Sequence, residues 1–96
     1  MIDLKDLWAK LETLNGNDFE SAEIQERQTG NRAADISSTR SFQARVAAYA
    51  LKVNPHEIKN LPLSEYWNVT TVVGNFLFKD SAEIIRLGLT GVQQSD

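Results

Sequence analysis

The stretch from Leu61 to Phe78 constrains the fold of this chain most strongly, because it is the longest apolar-rich run in the sequence. At about 100° per residue, its polar side chains collect on one narrow stripe, and apolar side chains cover most of the remaining circumference. The polar stripe consists of Ser64, Asn68, Thr71 and Asn75, and the stripe opposite of Leu63, Tyr66, Thr70, Val73 and Leu77. So wide an apolar arc predicts a helix, begun after Pro62 and ended near Lys79, that is buried from more than one direction. Gly74 within it predicts close approach of another backbone, or is an accident of packing.

The two flanks of this helix carry its large apolar side chains. Trp67 and Phe78 lie on one side of the polar stripe, and Val72 and Phe76 lie on the other. A 96-residue chain buries only somewhat more than about 60% of the surface that its unfolded form exposes, so its core is too small to cover both flanks. Contiguous exposed apolar surface usually marks an interface. We therefore predict that these four residues bind a partner and that the chain forms homo-oligomers.

Composition is that of an ordinary globular protein and excludes several kinds of function. A net charge of −3 and an isoelectric point near 5.1 provide no positive field for a phosphate backbone, which argues against a nucleic-acid partner. The absence of cysteine excludes disulfides and thiolate metal sites. The N-terminus is unlike a signal peptide, and no apolar run approaches the roughly 20 residues of a membrane span. We expect one helical domain over 1–96, in the cytoplasm and without a membrane partner.

Two further long helices are predicted from capping residues and apolar spacing. Asp3 is suited to cap a helix that runs through about Leu14. Ser37 or Ser38 is suited to cap another that runs through Val53, whose small alanines permit close approach of a neighbour. With the central stretch described above, these segments predict a mainly α fold, a compact bundle of three longer helices.

Two short helices complete the predicted bundle. Asn54, Pro55 and Glu57 form a capping pattern with proline at the first helical position, which predicts one or two turns. A second capping pattern at Asp80–Glu83 predicts another short helix close to the C-terminus. The last residues, 89–96, are expected to form a flexible tail.

The segment 15–36 sustains no apolar period, and we interpret it as a loop that turn-forming residues open. Weak alternation near residues 21–28 leaves a short strand, or a short helical piece, as the alternative. Arg27 and Arg32 lie in this segment. They can contact an acidic partner, or they can be solvated loop charges of the ordinary kind.

A search for catalytic and metal-binding patterns finds only incomplete motifs. His56 and Glu57 begin like the zinc-protease HExxH pattern, but Asn60 stands where the second histidine is required, and the chain has a single histidine. The five glycines form neither a dinucleotide-binding nor a phosphate-binding fingerprint. We therefore predict a binding protein rather than an enzyme, without cofactor or metal.

A series of short motifs follows one another between Ile24 and Phe78, a little over half of the chain. They are Glu26–Gly30, which contains an arginine, Leu51–Val53, where a helix ends, Asn54–Ile58, where a helix restarts, Leu61–Tyr66, where the last long helix begins, and Phe76–Phe78, where it ends. In this order they resemble the small tail assembly chaperones of long-tailed bacteriophages. The resemblance implies a mainly helical protein outside the mature virion. It also implies that the protein multimerises and coats the tape-measure protein until tail-tube subunits replace it.

A second local pattern supports an alternative function. Between Val46 and Val69, an alanine-rich helix, a break and a proline-started helix resemble a helix-turn-helix DNA reader. The region offers only Lys52 and Lys59 beside His56, Glu57 and Glu65, whereas phosphate contacts need clustered cations. The alternative prediction is a small phage or prophage regulatory protein that acts as a DNA-binding protein or an anti-repressor.

Overall fold

The computed structural model describes residues 2–78, and within this range the chain folds into α-helices without a β-strand. In chain order the elements are α1 (Leu4–Leu11), α2 (Gly16–Gln28), a short 3-10 turn (Ile36–Ser38), α3 (Arg40–Leu51), α4 (Pro55–Lys59) and α5, which is helical over 63–78. The predicted mainly α fold is thereby confirmed. The predicted helix end near Lys79, the short helix that begins at Asp80 and the tail over 89–96 lie outside the described residues.

Helix α3 forms the centre of the bundle, because most of its circumference is buried. Helices α1, α2 and α4 all pack against it. Its buried apolar side chains are Phe42, Ala44, Val46, Ala47, Ala48 and Ala50. Its small alanines are at most 5% exposed, on the helix against which these neighbours pack. Phe42 contacts Phe19 of α2 edge to face, with ring centroids 5.1 Å apart.

Helix α1 begins where the sequence predicts. The Asp3 carboxylate accepts hydrogen bonds from the backbone N–H groups two and three residues further on, donors that the first turn of a helix otherwise leaves unpaired. Leu7 and Leu11 are buried in the core. The helix ends at Leu11 rather than near Leu14, because the backbone N–H groups of Thr13 and Leu14 bond carbonyls only three residues back.

Helix α2 is the largest departure from the sequence prediction. The predicted loop over 15–36 is wrong for its first half, and so is the alternative of a strand near residues 21–28, since both fall on a regular helix of 13 residues. Asn15 and Asp18 start this helix with a capping box: each side chain accepts the backbone N–H of the other residue across 3.0 Å. These turn-forming residues therefore begin a helix and do not open a loop.

The sequence pattern does not indicate α2, because the buried face of this helix is narrow and partly charged. Ala22 and Glu26 are its only buried residues, and Phe19 is half-buried beside them. They recur at helical spacing, i, i+3 and i+7. Because Glu26 belongs to this face, an apolar period is not visible.

The start of α3 also differs from the prediction. Thr39, rather than Ser37 or Ser38, is the residue that precedes the first helical turn, and its side chain makes no capping hydrogen bond. Both serine hydroxyls bond Asp35, one at the side chain across 2.6 Å and one at the carbonyl across 2.8 Å. They stabilise the 3-10 turn, and the helix therefore begins after it.

The short helix α4 matches its predicted cap. The Asn54 side chain accepts the backbone N–H of His56 at 2.9 Å, and the Glu57 carboxylate accepts the backbone N–H of Asn54 at 3.2 Å. Pro55 occupies the first position, as predicted. The turn brings Ile58 into the core, where it is 1% exposed.

Helix α5 buries most of its predicted face and exposes the predicted polar stripe. Val69, Thr70 and Val73 are buried, and Tyr66 and Leu77 are half-buried. Leu63 is the exception to the prediction: it is 75% exposed, because the core covers the helix only from its second turn onward. Gly74 does mark a close approach, but the neighbour is the side-chain amide of Gln43 and not a backbone.

Candidate protein-binding surface

Two apolar side chains stand out at the start of α5. Leu63 and Trp67 are one turn apart on the same face, and Trp67 is 52% exposed. The guanidinium of Arg40, from α3, lies over the indole with its Cζ atom 3.4 Å from the ring centroid. This is cation–π geometry. We call Leu63, Trp67 and the Arg40 guanidinium the Trp67 patch.

The Arg40 side chain is held in place from below. Its Nη1 donates a hydrogen bond of 2.7 Å to the Thr70 hydroxyl, which is completely buried. That hydroxyl in turn lies 3.0 and 3.1 Å from the carbonyl oxygens of Tyr66 and Trp67, and donates toward them. Trp67 therefore has one face covered by a fixed cation, and much of the rest of the ring faces solvent.

Phe78 is a second exposed aromatic side chain on the same flank as Trp67, as predicted, and it is 52% exposed. The two residues are eleven positions apart, which is about 16 Å along a helix axis. A shallow groove of about 240 Å³ lies beside Phe78, and most of its other lining residues are polar: Ser38, Arg40, Gln43, Thr70, Thr71, Gly74 and Asn75. Trp67 and Phe78 are therefore two separate exposed aromatic side chains on one side of α5.

Val72 and Phe76, the other two predicted partner-binding residues of α5, lie on the opposite side of the helix and are half-buried. The Phe76 ring contacts Trp8 of α1 edge to face, with centroids 5.1 Å apart and planes at 84°. The structure therefore does not bring these two residues together with Trp67. Helix α1 covers part of their flank.

A larger groove opens between the α1–α2 connection, α3 and α5. Its volume is about 520 Å³, and its lining is mostly apolar: Leu11, Leu14, Phe19, Ala22, Val46, Tyr49, Phe76 and Leu77. Glu12, Asn15, Gly16 and Asp18 complete the lining. We call this site the apolar groove. Its size is within the range of about 300–1,000 Å³ that is typical of binding sites.

The two predicted arginines lie at and after the end of α2. Arg27 pairs with Glu23 one turn earlier, with Nε and Oε2 3.3 Å apart, and its Nη1 donates to the carbonyl oxygen of Ala33. It therefore connects the end of α2 to the following loop. Arg32 is exposed in that loop.

Three features of the structure were not predicted from the sequence. They are the position of Arg40 over Trp67, the apolar groove, and a buried ion pair between Glu26 of α2 and Arg45 of α3. The capping spacing of Asn15 and Asp18 was a signal that could have located α2. No local pattern joins Arg40 to Trp67, because the two residues are 27 positions apart.

Over residues 2–78, no group of three or more His, Asp or Glu side chains could hold a metal ion. No helix there is long and apolar enough to cross a membrane. His56 is exposed at the start of α4.

Comparisons with protein-family models, with curated proteins and with solved structures found no match to this chain.

Proposed function

We propose that this chain is a protein-binding assembly chaperone that covers apolar segments of a helical client. The observation that supports this best is the Trp67 patch, in which an aromatic ring is fixed by Arg40 and yet left half exposed. Tryptophan and arginine are enriched among the residues that dominate protein interfaces. Because intramolecular contacts already order the patch, binding costs little side-chain entropy.

The shape of this surface suits a client that must later be released. Trp67 and Phe78 are exposed on the outside of one helix, and a shallow groove lined mostly by polar residues lies beside Phe78. An amphipathic client helix laid along α5 can contact both anchors while its polar face stays in water. Such contacts cover apolar stripes of the client without enclosing them.

The resemblance to tail assembly chaperones makes the proposal specific. The client is the tape-measure protein of a long-tailed bacteriophage, and tail-tube subunits replace the chaperone as the tail grows. The chain acts in the host cytoplasm as a homo-oligomer and is not incorporated into the mature virion. Arg27 and Arg32 supply rim contacts. Removing either charge should therefore change the association rate and its salt dependence more than the affinity. Val72 and Phe76 contribute only where α1 leaves them uncovered.

Co-expression tests this function directly. The chain is produced together with a tape-measure protein, the proposed client, and the soluble fraction of that client is measured. Trp67→Ala should weaken client binding by about 2 kcal/mol, roughly 30-fold in affinity. Ile24→Ala is the matched control, because Ile24 is 58% exposed but lies on α2. A client that is equally soluble with and without this chain would end the proposal.

The alternative prediction, a phage or prophage regulatory protein, can be tested with the same purified chain. Its helix-turn-helix-like region carries Lys52, His56 and Lys59, and the ammonium group of Lys59 donates to the Ser41 hydroxyl at 2.9 Å. The chaperone proposal predicts no binding to duplex DNA at physiological salt, because clustered cations are required for it. A shifted operator fragment on a gel would replace the chaperone with the regulator.

A further inference from the structure

We infer that the apolar groove of one copy of this chain receives the Trp67 patch of a second copy. The pairing specifies which two surfaces meet in the self-association proposed above. It rests on the proposed function, in which Trp67 is a binding anchor. The two surfaces share no residue: the patch is Leu63, Trp67 and Arg40, whereas the groove lies between α3, the α1–α2 connection and the later part of α5. One chain therefore carries both halves of the contact.

Size and apolar character support this pairing. The groove, at about 520 Å³, offers apolar walls from Leu14, Phe19 and Leu77. An indole is a large rigid group that loses little conformational freedom on binding, and burial of its apolar surface is favourable. Among the exposed side chains of residues 2–78, Trp67 best combines such a ring with a fixed orientation.

The charges on the two surfaces favour the same pairing. Glu12 and Asp18 line the groove, and the Arg40 guanidinium accompanies Trp67. Copies of a chain with net charge −3 repel one another overall, and opposite charges placed across the contact offset that repulsion. Docking the patch into the groove brings a cation to two carboxylates. Packing two patches against each other would instead place two arginines together, which is unfavourable.

A contact between two different surfaces is heterologous, and it has a structural consequence. Each copy that has used its patch still offers its groove, and each copy that has used its groove still offers its patch. Assembly can therefore continue into a ring or an open filament. It also covers Trp67, so that self-association and capture of a client compete for the same side chain.

Two single variants and their mixture test the pairing. Trp67→Ala removes the patch and keeps the groove, and Glu12→Lys places a cation at the groove and keeps the patch. Both residues are exposed, so the fold should persist, which circular dichroism checks. Ile24→Ala and Glu20→Lys are matched controls, because both change exposed residues of α2 that line neither surface.

Sedimentation and light scattering of the whole chain, over concentrations up to the solubility limit, provide the readout. We expect the wild type and both controls to self-associate, and each test variant to need at least tenfold higher concentration. Mixing the two test variants should produce a 1:1 dimer that grows no further, since only one patch and one groove remain. A wild type that is monomeric throughout, test variants that assemble like the wild type, or a mixture that stays monomeric would each overturn the inference.

Client capture distinguishes this inference from the proposed function. Glu12→Lys should solubilise the tape-measure client at least as well as the wild type does, because a second copy no longer covers Trp67, while Trp67→Ala should not. Failure of every form to solubilise that protein would reject the proposed function and leave the assembly result intact. Normal capture without self-association would reject the pairing and the proposed homo-oligomer, and would leave the proposed client binding intact.

Discussion

The Nε group of Arg45 donates a hydrogen bond to Oε1 of Glu26 across 2.9 Å, and this contact joins α3 to α2. The side chain of Glu26 is 1% exposed and that of Arg45 is 11% exposed. Asn31 donates to the second carboxylate oxygen at 3.0 Å, so the loop after α2 is attached to the same charge. Because α2 buries little apolar surface of its own, this polar contact is what specifies where it lies on the bundle.

Removing the charge of Glu26 should strongly destabilise the fold. In Glu26→Gln the Arg45 guanidinium stays buried without a counter-charge, and breaking a buried pair in this way costs about 3–5 kcal/mol. Urea unfolding followed by circular dichroism measures the loss. Glu23→Gln is the control, because Glu23 forms a partly exposed pair with Arg27 one turn away, and its loss should cost about 0.5 kcal/mol. Equal losses in the two variants would contradict this role for Glu26.

Acid should weaken the same contact. Burial acts to raise the pKa of Glu26, but hydrogen bonds from Ser41, Asn31 and Arg45 and the charge of Lys59 outweigh it, so the pKa lies below its usual value. The unfolded chain therefore binds this proton at a higher pH than the folded chain does. The contribution of Glu26 to stability is complete above the ordinary carboxyl range, near pH 4, and is lost as the pH falls through the lowered pKa.

Urea titrations at a series of pH values below about 6 measure this effect. The free energy of unfolding of the wild type should fall more steeply with acidification than that of Glu26→Gln, which lacks the titrating group. Glu23→Gln should follow the wild-type curve. If the wild type and Glu26→Gln lose stability in parallel, the titration of Glu26 does not contribute.

Lys52 provides a site where stability can be raised. It is the only residue other than glycine among 2–78 with a positive φ, 58°, and its backbone N–H and that of Val53 bond the last carbonyls of α3. Glycine adopts this conformation without a Cβ clash, so Lys52→Gly should stabilise the protein by about 0.5–1 kcal/mol. Thermal and urea unfolding measure the gain. Lys52→Ala removes the same charge but keeps the strain, and an equal gain there would show that charge is the cause.

Local capping chemistry was the part of the fold most accessible from sequence. Asp3 and the Asn54–Glu57 pattern begin helices as predicted, because a cap joins a side chain to backbone groups two or three residues away. Helix α2 was missed for the opposite reason. Its buried charge is balanced by Arg45, which is 19 residues distant, and no local pattern reports such a partner.

The candidate site was predictable only in part, for a related reason. The two flanks of α5 are similarly apolar in sequence, and the position of Trp8 decides which of them is covered. Trp67 and Phe78 are exposed because α1 packs on the other side. The cation that fixes Trp67 comes from α3, and this depends on how the two helices cross.

Gly74 and Gln43 provide the last prediction, which concerns the crossing of α3 and α5. A Cβ atom at Gly74 would lie 3.0 Å from Nε2 of Gln43, whose amide is buried and donates to the Ser37 carbonyl at 3.0 Å. Alanine in place of a mid-helix glycine gains about 1 kcal/mol in helix propensity. Displacing the amide weakens its hydrogen bond to the Ser37 carbonyl, which contributes a similar free energy. Gly74→Ala should therefore leave the free energy of unfolding nearly unchanged.

A double-mutant cycle separates the two effects. In a Gln43→Ala background the space beside Gly74 is open, and Gly74→Ala should then stabilise the protein by about 1 kcal/mol relative to that background, as measured by urea unfolding. Gly16→Ala is the control, because no heavy atom lies within 4 Å of a Cβ there and its effect should be the same in both backgrounds. An equal gain from Gly74→Ala with and without Gln43 would mean that the amide moves aside at little cost in free energy. The glycine would then not be required for α3 and α5 to approach this closely.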